Sequence, residues 1–217
     1  MNFGLAFSFL FQDKDWLKKI AIPAVCLLIP IVGQFVMIGW ALEIARRVIQ
    51  RDPEAVPNLE FGKNLVTGLI AWVITFVYNL PTMILYLPSA LIMPIGEAAG
   101  MDADTLSTVY LAVTACCGCL TLIYGIFASF MVPAALGKYL AEGSFGAAFK
   151  FGEVFGLVKA APVAYLLVLA GALIMGFIAP LGIIVCVIGV IFTAAYGYAI
   201  YAHLLGQAYN TAKEKAF

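Results

Sequence analysis

Charged residues are scarce in this sequence, and their scarcity excludes most classes of soluble protein. Asp, Glu, Lys and Arg make up 11% of the 217 residues, whereas 64% of the residues are apolar. A soluble domain carries about 25% charged residues. The twelve basic and twelve acidic side chains cancel, so no basic excess indicates nucleic acid as a partner. Because so few charges could not cover such an apolar chain in water, we predict an integral membrane protein.

Catalytic motifs are also missing. The sequence has no glycine-rich phosphate loop, no serine–histidine–acid set and no metalloprotease motif. No carboxylate lies near the middle of an apolar block, although ion-coupled transport normally needs an ionisable group within the membrane. We therefore predict that the protein is not an enzyme, and the same scarcity argues against an active transporter.

The cysteines suggest neither a disulfide framework nor a metal site. All five lie within apolar blocks, where cysteine packs as a small apolar residue: Cys26, Cys116, Cys117, Cys119 and Cys186. Three of them are clustered, but zinc and iron–sulfur sites usually need further ligands elsewhere. The remaining two are isolated in the sequence, so we expect no metal and no other cofactor.

What the sequence does have is long apolar blocks. Four of them are long enough to span a bilayer of about 30 Å as helices; they cover residues 65–94, 106–136, 162–180 and 183–208. The first block, residues 20–49, is interrupted by Pro23, Pro30 and Gly33 and has basic residues on both flanks. This block is either a re-entrant hairpin or a tilted fifth span. The predicted fold is an all-α integral membrane protein with about four full transmembrane helices and this proline-broken first segment.

Two amphipathic segments precede apolar blocks and resemble each other. Residues 2–9 read NFGLAFSF and residues 144–151 read SFGAAFKF. Each is predicted to form a helix lying in the membrane interface. The apolar faces are Phe3, Phe7, Leu10 and Phe11 in the first, and Ala148, Phe151, Phe155 and Val158 in the second. We treat residues 1–217 as a single membrane domain, with a parallel repeat whose halves start near residues 2 and 144 as a hypothesis.

The distribution of charge predicts the orientation. Lysine and arginine cluster at residues 14–19, 46–51, 138–159 and 213–215. The loop at residues 96–105 has three acids and no basic residue. Since basic loops remain on the cytoplasmic side, both termini should be cytoplasmic, and the membrane should be the cytoplasmic (inner) membrane of a prokaryote.

Several short segments resemble a known family. They are residues 13–19 (DKDWLKK), 29–33 (IPIVG), 39–40 (GW), 46–49 (RRVI) and 147–154 (AAFKFGEV). Together they resemble a family of prokaryotic multi-pass membrane proteins known only as a domain of unknown function. Trp40 stands where the resemblance leads us to expect tyrosine. The resemblance implies a membrane location and brings no catalytic or binding residues.

Candidate interaction residues lie on two of the apolar blocks. Glu43 can pair within its helix with Arg46 or Arg47. A seam of small residues in the last block would let another helix approach closely, either within the protein or in an oligomer; it comprises Ala195, Ala199, Ala202 and Gly206. His203, the one histidine, could ligate a haem or a pigment, or it could hydrogen-bond a neighbouring helix.

These features favour a non-catalytic scaffold or accessory subunit of a larger membrane complex. The alternative is a permease or channel for a small uncharged or lipidic solute, with Gln34, Asn79 and Gln207 along its path. A weaker alternative is a subunit that binds a cofactor through His203. The expected partners are the lipid bilayer, and other membrane subunits or a second copy of the chain.

Overall fold

The computed structural model describes the backbone of residues 1–216, and their side chains except those of residues 179 and 185–188. The described part is helical and contains no strand. Its helices are α1 (Leu5–Ser8), α2 (Trp16–Cys26), α3 (Val32–Gln50), α4 (Phe61–Ala98), α5 (Ala103–Glu142), α6 (Phe151–Ala160), α7 (Pro162–Leu181) and α8 (Cys186–Ala216). Short 3-10 segments cover Phe9–Gln12, Phe145–Phe149 and Gly182–Val185.

Four segments are long and apolar enough to cross a membrane, which confirms the predicted number of full spans. They are Phe61–Ala98, Ala103–Glu142, Pro162–Ile184 and Gly189–Ala216. At about 1.5 Å per residue, the 38 residues of α4 and the 40 residues of α5 exceed the length that a bilayer core requires. Kinks are expected at the three prolines inside α4, which are Pro81, Pro88 and Pro94.

The proline-broken first segment forms two helices joined by a tight turn. Ile31 has a φ of 65°, and a β-carbon on Gly33 would lie 1.8 Å from the carbonyl oxygen of Cys26. Only glycine therefore allows α3 to begin this close to the end of α2. The 11 residues of α2 reach about 17 Å, roughly half the thickness of the hydrocarbon core, so α2 is too short to be a span.

The turn between α2 and α3 exposes apolar side chains and pairs its backbone groups. Leu28, Ile29 and Ile31 are largely exposed. The N–H of Ile29 donates to Cys26 O at 2.9 Å, and the N–H of Gly33 donates to Ile29 O at 3.0 Å. Irregular backbone at membrane depth is tolerated only where protein buries it or water reaches it. The first segment is therefore a hairpin of two helices and not one continuous helix, and the re-entrant position of its turn in the membrane stays a prediction.

The chain forms two compact units. The larger comprises Met1–Ile74 together with the chain from Phe130 onwards, and α3 and α8 lie at its centre. Trp40 and Ile44 of α3, and Leu204 and Leu205 of α8, are completely buried. Because α3 is buried on several sides, it is a core helix of this unit.

The smaller unit, Thr75–Ser129, comprises the second part of α4 and the first part of α5. A β-carbon on Gly96 would lie 2.2 Å from a methyl group of Leu106, so the two helices pack closely beside their connecting loop. Farther along, the Tyr124 hydroxyl donates a hydrogen bond to Tyr78 O at 2.9 Å. The single membrane domain predicted from the sequence stays a prediction.

The N-terminal segment packs against α8, and this contact takes up one residue of the side predicted to face the membrane. Ala6, Phe9 and Leu10 are buried, whereas Phe11 is exposed. Leu10 turns inward because the change to a 3-10 helix at Phe9 alters the spacing of the side chains. The Tyr196 hydroxyl of α8 donates to Phe7 O at 2.9 Å and fixes this contact.

The second amphipathic segment has an inner and an outer face. Val154 and Leu157 of α6 are buried, whereas Phe151 and Phe155 are about half exposed. Phe151 and Phe155 are thus the large apolar side chains that α6 exposes. The interfacial location of both amphipathic segments stays a prediction.

The two echoing segments share local geometry. The rings of Phe3 and Phe7 lie 5.3 Å apart, and those of Phe145 and Phe149 lie 5.0 Å apart. The alanine at the equivalent position is completely buried in both segments: Ala6 and Ala148. The parallel repeat nevertheless stays a hypothesis, since likeness over one short segment does not establish it for two halves of a chain.

Candidate functional site

Glu43 lies at the centre of a charge network between α3 and the start of α4. Arg46 Nη1 donates to Glu43 Oε2 at 3.0 Å, and Lys63 Nζ donates to Glu43 Oε1 at 3.3 Å. Lys63 also reaches Glu60 at 3.6 Å. The Glu43 side chain is 13% exposed, so its two cationic partners compensate for a carboxylate largely removed from water.

Arg47 does not join this network, although the sequence allowed it. Its Nη1 atom donates to the carbonyl oxygen of Glu54 at 2.9 Å. The Trp40 indole N–H donates to Pro57 O at 3.1 Å. Side chains of α3 therefore hold the linker between α3 and α4 at both of these points, and the role of Arg47 is to position a loop.

The small-residue seam of α8 faces the interior of the larger unit. Ala195, Ala199 and Ala202 are completely buried. A β-carbon on Gly206 would lie 2.8 Å from Ala45 O and 2.7 Å from Val48 Cβ. At Gly206 the seam thus lets α8 approach the backbone of α3.

His203 belongs to a hydrogen-bonded cluster between α8 and the N-terminal segment. The Asn2 backbone N–H donates to Gln207 Oε1 at 2.6 Å, so the Gln207 amide nitrogen is the donor that faces Asn2 O at 3.0 Å and His203 Nδ1 at 2.9 Å. The Phe9 ring stacks on the imidazole with centroids 4.3 Å apart. Nδ1 is therefore an acceptor engaged within the protein.

A cavity of about 580 Å³ lies beside His203. It is bounded by the N-terminal segment, the loop after α3 and α8; its polar lining includes Asp13, Lys19, Arg51 and Gln207. His203 is one of the residues that line this cavity, and its Nδ1 atom is engaged by Gln207. Ligation of a cofactor by His203 stays a prediction.

The structure contains a second charge network that the sequence did not lead us to predict. Lys138 is 6% exposed and forms ion pairs with Glu142 in its own helix and with Glu153 of α6, the latter at 2.6 Å. Lys150 lies 3.5 Å from Glu142 and 3.8 Å from Glu153. The one sign of this network in the sequence was the spacing of Lys138 and Glu142, which are four residues apart and can pair within a helix. The pairing of Lys138 with Glu153 of α6 depends on the turn between α5 and α6.

The cysteines and the polar residues of the predicted solute path are spread over several helices, and the path stays a prediction. Cys116 and Cys119 are exposed on α5, and no group of three or more potential metal ligands occurs among the residues that the structure describes. The side chain of Cys186 lies outside the described residues. Asn79 donates to Thr75 O of its own helix at 2.8 Å, and Gln34 is exposed.

Comparison with curated proteins finds no match, and comparison with solved structures finds none. A family model matches residues 22–188, which is more than half of the chain and includes the end of α2 and all of α3, α4, α5, α6 and α7. The family carries no assigned chemistry, in agreement with what the sequence resemblance implied. The chain belongs to the family described as "Protein of unknown function (DUF4013)".

Proposed function

We propose that the chain is a non-catalytic subunit of the prokaryotic cytoplasmic membrane that serves as a scaffold or accessory component of a larger membrane complex. The supporting observation is the set of ion pairs that the largely buried charged side chains form. Glu43 pairs with Arg46 and Lys63, and Lys138 pairs with Glu142 and Glu153. These contacts join helix ends to one another, which is an architectural use of charge.

A surface for other subunits is available on α5. In the apolar stretch of α5 that could cross a membrane, 6% of the residues are buried within the chain, whereas in the corresponding stretch of α8 50% are buried. Leu111 and Leu122 are among its most exposed side chains. Helices associate in lipid by packing and by interhelical hydrogen bonds, so such a helix can contact a second membrane protein along much of its length.

The test is site-specific photocrosslinking in native membranes, followed by purification in mild detergent and mass spectrometry. A photoreactive residue at Leu111 or Leu122 should capture one recurrent membrane protein. The matched control is the same photoreactive residue in place of Tyr165, a large side chain that is completely buried, where it should capture none. A monomer in several mild detergents, with crosslinks to lipid alone, would contradict the proposal.

A permease for a small uncharged solute is the second candidate, because of the predicted re-entrant hairpin. Turns of this kind at membrane depth are tolerated where protein buries them or water reaches them. Purified protein in liposomes should then accelerate swelling in a gradient of glycerol. Gln34→Leu, which removes an exposed amide at the start of α3, should reduce that acceleration, and liposomes that swell no faster than empty ones would exclude this candidate.

A further inference from the structure

A groove lies where α5, α6 and α8 come to their C-terminal ends. Its volume is about 810 Å³. One side is apolar and includes Leu157 and the ring of Tyr209, and the rim carries Lys159 and Lys213. Because α5 and α8 each contain an apolar stretch long enough to cross a membrane, we expect the charged residues that follow these stretches at the depth of the lipid headgroups.

The charges around this groove do not cancel. Glu142 and Glu153 are both paired with Lys138 and Lys150, in a network of two acids and two bases that is neutral as a whole. Lys159 and Lys213 line the groove, and neither has an ion-pair partner among the residues whose side chains the structure describes. The described residues that line the groove therefore carry one positive charge in excess, and Lys150 beside Glu142 and Glu153 adds a second.

Tyr209 and Gly156 both line the groove, and we call the surface that they form its floor. Tyr209 is buried and packs beside Gly137, where a β-carbon would lie 2.9 Å from its ring. Gly156 has no atom within 4 Å of the position that a β-carbon would take, so the groove is open above it. An apolar chain can lie on this floor while a charged group at its end reaches the lysines.

We propose that this groove binds an anionic phospholipid. The phosphate lies between Lys159 and Lys213, and the start of an acyl chain lies along Leu157 and Tyr209. Basic pockets between helices at the membrane surface recognise anionic headgroups in this way, and ammonium groups donate strong hydrogen bonds to phosphate oxygens. This site does not depend on the scaffold function, since a scaffold need not select its lipids.

The first test measures binding of phosphatidylglycerol and phosphatidylcholine to the delipidated full-length protein by native mass spectrometry. Phosphatidylglycerol should bind about tenfold more tightly, because each nearby basic residue favours an anionic headgroup. The double variant Lys159→Gln, Lys213→Gln should lose about this preference. Lys215→Gln is the matched control, since it removes an exposed lysine of the same helix that does not line the groove.

The second test blocks the groove and leaves both lysines in place. Gly156→Leu should reduce phosphatidylglycerol binding about tenfold by occupying the floor. Gly152→Leu is its control, because Gly152 lies in the same helix, also has open space around it and does not line the groove. The two pairs of variants are independent, so misfolding of one variant leaves the other pair decisive.

Three results would overturn the proposal. One is equal binding of phosphatidylglycerol and phosphatidylcholine to the wild-type protein. Another is an equal loss of binding for Lys215→Gln and for the double variant, which would indicate general surface charge. The third is complete displacement of the lipid by millimolar inorganic phosphate, which would indicate a site for a free anion.

Discussion

Gly206 of α8 lies so close to Ala45 of α3 that a β-carbon on the glycine would stand 2.8 Å from the Ala45 carbonyl oxygen. The two central helices of the larger unit therefore meet with almost no side chain between them. Without a hydrophobic driving force between helices in lipid, such close approach supplies van der Waals contact that larger residues prevent. The contact explains why a small residue is required at this point of α8.

Replacement of Gly206 by leucine should separate α8 from α3. Insertion of a side chain into a packed interface costs about 1–3 kcal/mol, and here the obstacle is backbone and cannot move aside. We expect Gly206→Leu to aggregate at a lower temperature than wild type in detergent, and size-exclusion chromatography after heating measures this midpoint. The control is Gly176→Leu, since no atom lies within 4 Å of that glycine's β-carbon position; equal loss in both variants would contradict this account.

Lys138 should stabilise the junction of α5 and α6 only while its acids are charged. Lys138→Met leaves Glu142 and Glu153 without their closest cation, but 36% and 58% of their side chains are exposed to solvent, so losing each pair costs about 1 kcal/mol or less. We expect a modest fall in the thermal midpoint.

Neutralising the two acids should restore most of that stability. The triple variant Lys138→Met, Glu142→Gln, Glu153→Gln removes the charges that Lys138→Met leaves unpaired. Lys150→Met is the control, because Lys150 is exposed and its ion pairs are longer than 3.4 Å, with distances of 3.5 and 3.8 Å. A triple variant no more stable than Lys138→Met would show that packing, and not charge, is the role of Lys138.

The sequence predicted the spans and the broken first segment, because apolar length and proline position are local properties. It could not predict which residues would meet across the fold. Asn2 and Gln207 are 205 positions apart, and their contact determines the surroundings of His203. The pairing of Lys138 with Glu153 likewise depends on the turn at Gly143, which has a φ of 66° and follows from no spacing rule.

Glu43 and Glu60 share Lys63 but should differ in their contribution to stability. Glu43 is 13% exposed and Glu60 is 63% exposed. Removing Glu43 with Glu43→Ala leaves Arg46 without its partner in a partly buried position, which costs about 1.5–3 kcal/mol. Glu60→Ala should cost less than about 1 kcal/mol because its pair is solvent-screened. Chemical denaturation of both variants, compared with wild type, measures the difference; equal effects would contradict the prediction.

The ion pair between Asp13 and Lys19 predicts a dependence on pH. Partial burial raises the pKa of Asp13, but the hydrogen bond from Lys19 at 2.6 Å, the N–H of Asp15 and the Lys19 charge outweigh it and hold the pKa below its ordinary value of 3.8. Because the folded pKa is the lower one, the stabilisation is present above pH 3.8 and is lost as the pH falls through the lowered pKa.

The measurement is the difference in thermal midpoint between wild type and Asp13→Asn at low ionic strength. This difference should be constant between about pH 5 and 7 and should disappear in the acid range below about 4. In a Lys19→Met background the difference should lose most of its pH dependence. A difference that persists at the lowest pH would indicate that the carboxylate charge is not its cause.

The orientation of the chain can be tested at two positions, Asp102 and Lys150. Asp102 caps the start of α5 by accepting a hydrogen bond from the Thr105 N–H at 2.9 Å, in the loop at residues 96–105 that has no basic residue. Lys150 lies between α5 and α7, among the lysines that should remain in the cytoplasm. The five native cysteines would be replaced by alanine before Asp102→Cys or Lys150→Cys is introduced.

A membrane-impermeant maleimide should label Asp102→Cys in intact cells and label Lys150→Cys only after the cells are opened. The physical reason is that the opposite orientation would place all of the lysine- and arginine-rich segments outside the cell, against the positive-inside rule. Labelling of Lys150→Cys in intact cells, with Asp102→Cys protected, would show that the chain has the opposite orientation. The groove at Lys159 and Lys213 would then face the outer leaflet, so this experiment also determines which leaflet must supply its lipid.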